Sequence, residues 1–190
     1  MYKICKTESS AKRQKEIELC LLNVMNTKKY EDITITELCE KMNMPRKSFY
    51  RYFDGKDGAM QSLLYHTMEE FDTIRLVQRK SRLSEEFEDF FSFWKSKKEL
   101  LDAFYKSGFI GLLMESATNY AMKEFGDVEK YLSDSGRNEK ILAYQFVICG
   151  LMTMMINWYR TGFSEPISSI SHTAAKIITN PLFEKLTRPE

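Results

Sequence analysis

Apolar residues recur along the chain at spacings of three and four, and runs with period two are almost absent. Ile17, Leu21, Val24 and Met25 mark a first helix over residues 10–27. A polar break at residues 28–32 follows. Thr34, Ile35, Thr36 and Glu37 then form a capping box, in which the Thr34 hydroxyl accepts from the backbone N–H of Glu37 and the Glu37 carboxylate reaches back. The box predicts a second helix over 35–42, with Ile35, Leu38 and Cys39 inward. Asn43 is among the few non-glycine residues that tolerate left-handed backbone. Pro45 suits the first turn of a third helix over 46–53, where its missing N–H matters little. Asp54 and Gly55 break that helix, and a long one is expected over 56–79.

The remainder repeats the pattern. Phe87, Phe90, Phe91 and Trp94 fall at i, i+3, i+4 and i+7, after Ser84 as a cap with Glu85 and Glu86 in the first turn. Leu100, Leu101, Phe104 and Tyr105 make a short helix ending near Gly108, and residues 109–125 make another. A polar loop containing Ser133, Asp134, Ser135 and Gly136 leads to an apolar helix over 141–159. Gly162 stops it, Pro166 restarts the chain, and Ile167, Ile170, Ala174 and Ile178 line a final helix. The expectation is an all-α protein of nine helices and no sheet.

Net charge is +1, which singles out no class of partner, but its distribution is uneven. Through His66 there are 12 Lys and Arg against 9 Asp and Glu; the remainder has 16 against 18. A mildly basic head thus precedes a mildly acidic body. Cys5, Cys20, Cys39 and Cys149 show no ligand-like spacing, which fits free thiols in a reducing cytoplasm. His66 and His172 lack partners at metal-ligand spacing. No Gly-rich phosphate loop, nucleophile elbow or paired-carboxylate motif stands out, so neither an enzyme nor a cofactor is expected. The N-terminus lacks the apolar run of a signal peptide. Nineteen uncharged residues between Lys140 and Arg160 approach the length of a membrane span. Gln145 and Asn157 interrupt them, however, and a dimerisation helix apolar on nearly every side reads the same way.

Two short helices joined by a tight turn, the second rich in basic and hydroxyl groups, make a helix-turn-helix candidate. Helical spacing sends Phe49 and Phe53 toward a three-helix core and leaves Arg46, Lys47, Ser48, Tyr50 and Tyr52 outside. The N-terminal end of a recognition helix enters the major groove. There Arg or Lys can donate to guanine, Ser can contact either base type, and Tyr hydroxyls can reach phosphate. Lys56 opens the next helix, where its ammonium and the exposed backbone N–H groups favour a phosphate. A solvated basic face on an ordinary helical hairpin is the plainer alternative.

Residues 17–60 resemble the N-terminal domain of the tetracycline-repressor (TetR/AcrR) family. The matching positions are Ile17, Val24, Met25, Tyr30, Thr34, Ile35, Leu38, Cys39, Met44, Ser48, Phe49, Tyr50, Tyr52, Phe53, Lys56 and Asp57. Lys29 and Asn43 stand where that family usually has Gly, implying bends made at higher cost. Pro45 replaces the usual Ser cap, and Gly58-Ala59 replaces an acid-Leu pair. The resemblance implies a helix-turn-helix DNA-binding domain over 1–55 and a helical ligand-binding and dimerisation domain over 56–190. It implies DNA contacts by Thr36, Arg46, Lys47, Ser48, Tyr50, Tyr52 and Lys56, on a near-palindromic operator bound by a homodimer. The last two helices would form the dimer interface. Phe90, Trp94, Phe104, Phe109, Met114, Tyr120 and Trp158 would line a cavity for a small apolar or aromatic effector. The expected function is that of a cytoplasmic transcriptional repressor released by such an effector. The alternatives are an activator or co-regulator with the same head, or a helical binding module without DNA binding.

Overall fold

The structure is a computed structural model that describes residues 2, 5, 7–77, 82–129 and 137–179. Among the described residues there are nine α-helices and one 3-10 turn: α1 (Glu8–Met25), the turn Tyr30–Asp32, α2 (Ile35–Lys41), α3 (Arg46–Phe49), α4 (Lys56–Val77), α5 (Leu83–Ser96), α6 (Lys98–Lys106), α7 (Ile110–Glu129), α8 (Arg137–Arg160) and α9 (Ile167–Thr179). The one β feature among them is an isolated antiparallel bridge between Tyr2 and Phe53. The all-α expectation holds. The loop expected around residues 133–136 lies outside the described residues.

Packing divides the chain into two compact units, one of Met1–Glu69 with Glu99–Ala117 and one of Glu70–Lys98 with Thr118–Glu190. This partition differs from a cut after residue 55. The first part of α4, nearly all of α6 and the start of α7 bury their apolar residues with α1–α3.

In the first unit Ile17, Leu21, Leu38, Phe49, Phe53, Leu101 and Phe104 are fully buried. A polar chain threads the same interior. Cys5 Sγ donates to Gln14 Oε1 at 2.7 Å, Gln14 Nε2 to Ser62 Oγ at 2.9 Å, and Ser62 Oγ to Glu18 Oε1 at 2.6 Å. His66 Nδ1 lies 2.9 Å from Glu18 Oε2, so the buried carboxylate has partners on both oxygens. Directional bonds of this kind hold α1 and α4 in one register where apolar contacts alone would allow others.

Several helix ends depart from the expected chemistry. Thr7 caps α1, so that helix begins two residues earlier than its apolar pattern suggests. Thr34 does cap α2, accepting from Glu37 N at 3.1 Å, but the reciprocal half of the box is absent. The Glu37 carboxylate instead binds Lys28 Nζ at 2.5 Å, and that bond holds its pKa below the usual carboxylate value. Ser84 lies inside α5 and caps nothing; Arg82 precedes the helix without a side-chain cap. Lys29 is ordinary extended backbone, with φ −64° and ψ 143°, so its departure from Gly carries no strain.

Asn43 does take the left-handed conformation, with φ +46°. Met44 N bonds Cys39 O at 2.9 Å and Asn43 N bonds Glu40 O at 3.0 Å, the paired closure of a Schellman motif. Gly108 and Gly162, both near φ +71°, close α6 and α8 the same way. The residue after each folds its ring back onto its helix: Phe109 onto Phe104, and Phe163 onto Trp158 at 4.7 Å.

In the second unit α5 packs mainly against α9 and also against α8. Phe87, Phe90, Phe91, Phe93 and Trp94 are all buried. Phe91 meets Trp158 edge-on at 5.6 Å, and Phe71 meets Phe93 at 5.2 Å. In α9, Ile170, Ser171 and Ala174 face inward, while in α8 Leu142 and Phe146 are 63% and 61% exposed.

Asn43 is exposed, so substitutions there report on backbone conformation alone. Asn43→Val should lower stability by about 1–2 kcal/mol, the range for an L-residue forced into left-handed backbone. Asn43→Gly should match or exceed the parent. Urea unfolding followed by circular dichroism checks both.

Candidate nucleic-acid interface

The turn that precedes α3 is set by the Asn43 closure and by Pro45, whose φ of −64° and ψ of 142° start the helix. Only four residues, Arg46–Phe49, are regular α-helix, and not the eight expected. Residues 50–53 continue as tight turns: Arg51 N bonds Ser48 O at 3.3 Å and Tyr52 N bonds Phe49 O at 2.9 Å. The shortening has a physical cause. Asp54 and Gly55 follow within one turn and end the helical run, while Phe49 and Phe53 pack 5.5 Å apart ring to ring in the core.

The inward and outward assignment holds residue by residue. Phe49 and Phe53 are fully buried, whereas Arg46 and Lys47 are exposed, Tyr50 is 40% exposed, and Ser48 and Tyr52 are half-buried. Thr36 is exposed in the first turn of α2. Arg51, not singled out from the sequence, is exposed on the same segment and adds a third cation to it. Its signal was only its charge, since the longer helix expected there left it no distinctive face. Arg46, Lys47, Ser48, Tyr50 and Thr36 can therefore offer cationic and hydroxyl donors to an external partner.

Lys56 is placed differently from the expectation. Its Nζ donates to Tyr30 O at 2.7 Å, Glu31 O at 3.1 Å and Ile33 O at 3.1 Å, and lies 4.5 Å from the centre of the Tyr30 ring. An ammonium has three protons, and three carbonyls use them all. In the structure all three protons are directed to carbonyls within the head. Next to it the Tyr30 hydroxyl donates to Asp57 Oδ1 at 2.5 Å. Burial foremost, then that carboxylate, push the Tyr30 phenol far above its ordinary value, so it stays a donor at neutral pH.

The expected effector residues fall in both units. Phe90, Trp94, Tyr120 and Trp158 belong to the second, where Phe90 and Trp94 pack 6.4 Å apart and the Trp158 indole donates to Glu165 O at 2.9 Å. Phe104, Phe109 and Met114 belong to the first, where Phe104 is fully buried and Phe109 stacks edge-on against Tyr30.

A two-helix reading head held by a buried aromatic pair, with a larger helical body, defines the class of helix-turn-helix transcriptional regulators. A model of the TetR transcriptional-regulator C-terminal region matches residues 81–180. The chain belongs to the TetR family of transcriptional regulators, a family generally without enzymatic activity. The fold is similar to that of the fatty acid degradation regulator FadR from Bacillus halodurans, at 14% identity over 94% of this chain and 98% of that one, with a TM-score of 0.61. It is similar to the dihydroxyacetone kinase operon activator DhaS, at 13% identity over 93% and 98%, with a TM-score of 0.57. A protein described as a TetR-family regulator from Syntrophomonas wolfei shares 12% identity over 89% and 94%, with a TM-score of 0.52. No curated protein matches the chain by sequence.

The short α3 makes a sharp contrast testable. Phe49→Ala should cost about 3–5 kcal/mol, as for other fully buried rings, and lower the unfolding midpoint accordingly. Tyr50→Ala, one residue on, should lower stability by less than about 1 kcal/mol.

Proposed function

We propose that this regulator is a cytoplasmic homodimer that binds a near-palindromic DNA operator through Thr36, Arg46, Lys47, Ser48, Tyr50 and Tyr52, and that a small apolar or aromatic effector releases it. One observation carries the DNA reading. The segment that buries Phe49 and Phe53 completely keeps three cations, Arg46, Lys47 and Arg51, and the hydroxyl-bearing side chains of Ser48, Tyr50 and Tyr52 outside its core. Those are the groups that read guanine edges and anchor phosphates. The exposed N–H groups at the start of α4 can take a further phosphate.

The dimer reading rests on α8. It is long and apolar enough to cross a membrane by length and composition, with a mean hydropathy of 1.5 over residues 138–160, yet little of it is buried within the chain. The exposed Leu142 and Phe146 fit a second copy of the same helix in a twofold contact. A membrane would take the same surface; sedimentation and vesicle flotation separate the two occupants.

The effector reading rests on the aromatic cluster of α5 and α8. Phe90, Trp94 and Trp158 offer apolar contact, with the exposed Lys95 ammonium 5.7 Å from the Trp158 ring, which suits an aromatic or aliphatic molecule. By linkage, an effector that weakens DNA binding must itself bind the DNA-bound form more weakly by the same factor. Trp94 and Trp158 are the chain's two tryptophans, so their fluorescence reports its arrival directly.

Selection from a randomised duplex library should yield a site whose halves lie roughly 34 Å apart, one helical turn. Arg46→Ala and Lys47→Ala should each cost about 1–3 kcal/mol on that site and relax base preference. Absence of any selected sequence refutes the DNA reading. Leu142→Glu combined with Phe146→Glu should turn a sedimenting dimer into a folded monomer; an unchanged sedimentation coefficient refutes the interface. An effector that strengthens operator binding would replace the repressor reading by the activator or co-regulator one.

A further inference from the structure

Both ends of the helix-turn-helix converge on one side chain. The 3-10 turn Tyr30–Asp32 leads through Ile33 to Thr34, the cap of α2, and Lys56 follows three residues after the buried Phe53 that ends the recognition segment. The Lys56 ammonium bonds the carbonyls of Tyr30, Glu31 and Ile33, so the entrance of α2 and the exit of α3 are tied to each other. Tyr30 makes a second tie to the same place through its hydroxyl on Asp57.

Tyr30 is also where another part of the unit touches this frame. Its ring is 5% exposed and meets Phe109 edge-on at 5.0 Å. Phe109 is the residue that the Gly108 closure folds back at the corner between α6 and α7. A parallel tie runs beside it: Asn26, which closes α1, donates to Glu99 O at 3.1 Å, and Lys106 reaches Asn26 O at 3.5 Å. The α6–α7 corner therefore bears on the residues that frame the reading head, without touching the outward-facing ones.

We propose that Tyr30, Lys56 and Asp57 form a positioning knot for DNA recognition, through which the α6–α7 corner sets the placement of the recognition segment. None of the three is a DNA contact in this scheme. Lys56 holds the frame through its carbonyl bonds, Tyr30 transmits the position of Phe109 through its ring, and its hydroxyl fixes that ring to α4 by way of Asp57. The proposal rests on the DNA-binding reading for its consequence, and on the geometry of the first unit alone for its mechanism.

The test uses the full chain with Tyr30→Phe, Lys56→Met and Phe109→Ala, each at a temperature where circular dichroism shows it folded. On the operator obtained by selection, each should lower specific affinity about tenfold, the scale of one lost charge-assisted or buried hydrogen bond for Tyr30→Phe and Lys56→Met and of one lost aromatic pair for Phe109→Ala. Affinity for random-sequence DNA should be unchanged, and so should the dependence of log affinity on log salt. A phosphate contact by Lys56 would instead lower the salt slope of Lys56→Met by about one and leave Tyr30→Phe silent. That outcome, or operator affinity equal to the parent in all three variants, overturns the proposal. Amide exchange supplies a readout independent of DNA. The amides of Tyr50, Arg51 and Tyr52 should exchange about tenfold faster in Lys56→Met while those inside α1 keep their rates. If the parent binds no DNA but this exchange pattern appears, the knot stands and the DNA reading falls; if exchange is unaltered, the knot itself is refuted.

Discussion

A four-residue helix has no stability of its own, because nucleation fixes more dihedral angles than its few hydrogen bonds repay. Whatever α3 presents to a partner is thus held in place by what lies behind it. Phe49 and Phe53 provide that hold, with rings fully removed from solvent and packed on each other. The interior they enter is closed from the far side by α1, whose Ile17 and Leu21 are equally buried, and is given one register by the hydrogen-bonded line from Gln14 through Ser62 to Glu18. Remove the aromatic anchor and the outward cations lose their geometry, however favourable their own chemistry.

The second unit answers a different constraint. Its aromatic rings crowd onto α5, which buries five of them, and α9 covers that helix with small and β-branched residues such as Ala174 and Ile170. The left-handed pair Gly162 and Phe163 between α8 and α9 lets the chain reverse while Phe163 returns to the Trp158 ring. Satisfied from within by α5, α9 leaves polar residues such as Ser168, His172 and Lys176 outside with Ile178 near its end, whereas α8 leaves the more exposed Leu142 and Phe146 there. The two terminal helices are therefore not equivalent surfaces.

Much of this was legible in the amino-acid order because it depends on local rules. Period-3.6 patterning gave the helices, Thr34 gave the cap of α2, and Asn43 before Pro45 gave the turn, since left-handed tolerance and a fixed φ belong to single residues. The orientation of Phe49 and Phe53 followed from spacing alone. What was not legible depends on partners distant in sequence. Glu37 abandons the reciprocal cap for Lys28, nine residues away, because an ammonium within reach outcompetes a backbone N–H. Lys56 finds its carbonyls more than twenty residues back, and no local pattern announces them. Ser84 is a good cap in the wrong place, since the turn begins one residue sooner, at Leu83. Lys29 avoids the bend expected of a replaced glycine because the chain leaves α1 through an extended residue.

The separation between frame and face in the first unit bears on how such a head can diverge. Phe49, Phe53, Tyr30 and Lys56 are committed inward, while Arg46, Lys47 and Thr36 are exposed. Exchanges at these outward positions leave the hydrogen-bonded frame and the buried aromatic anchor in place, so the outer chemistry of the segment can change by single steps. The short α3 thereby acts as an interchangeable set of letters on a fixed type-block, and the chemistry of its outer face becomes one of the most readily altered properties of the molecule.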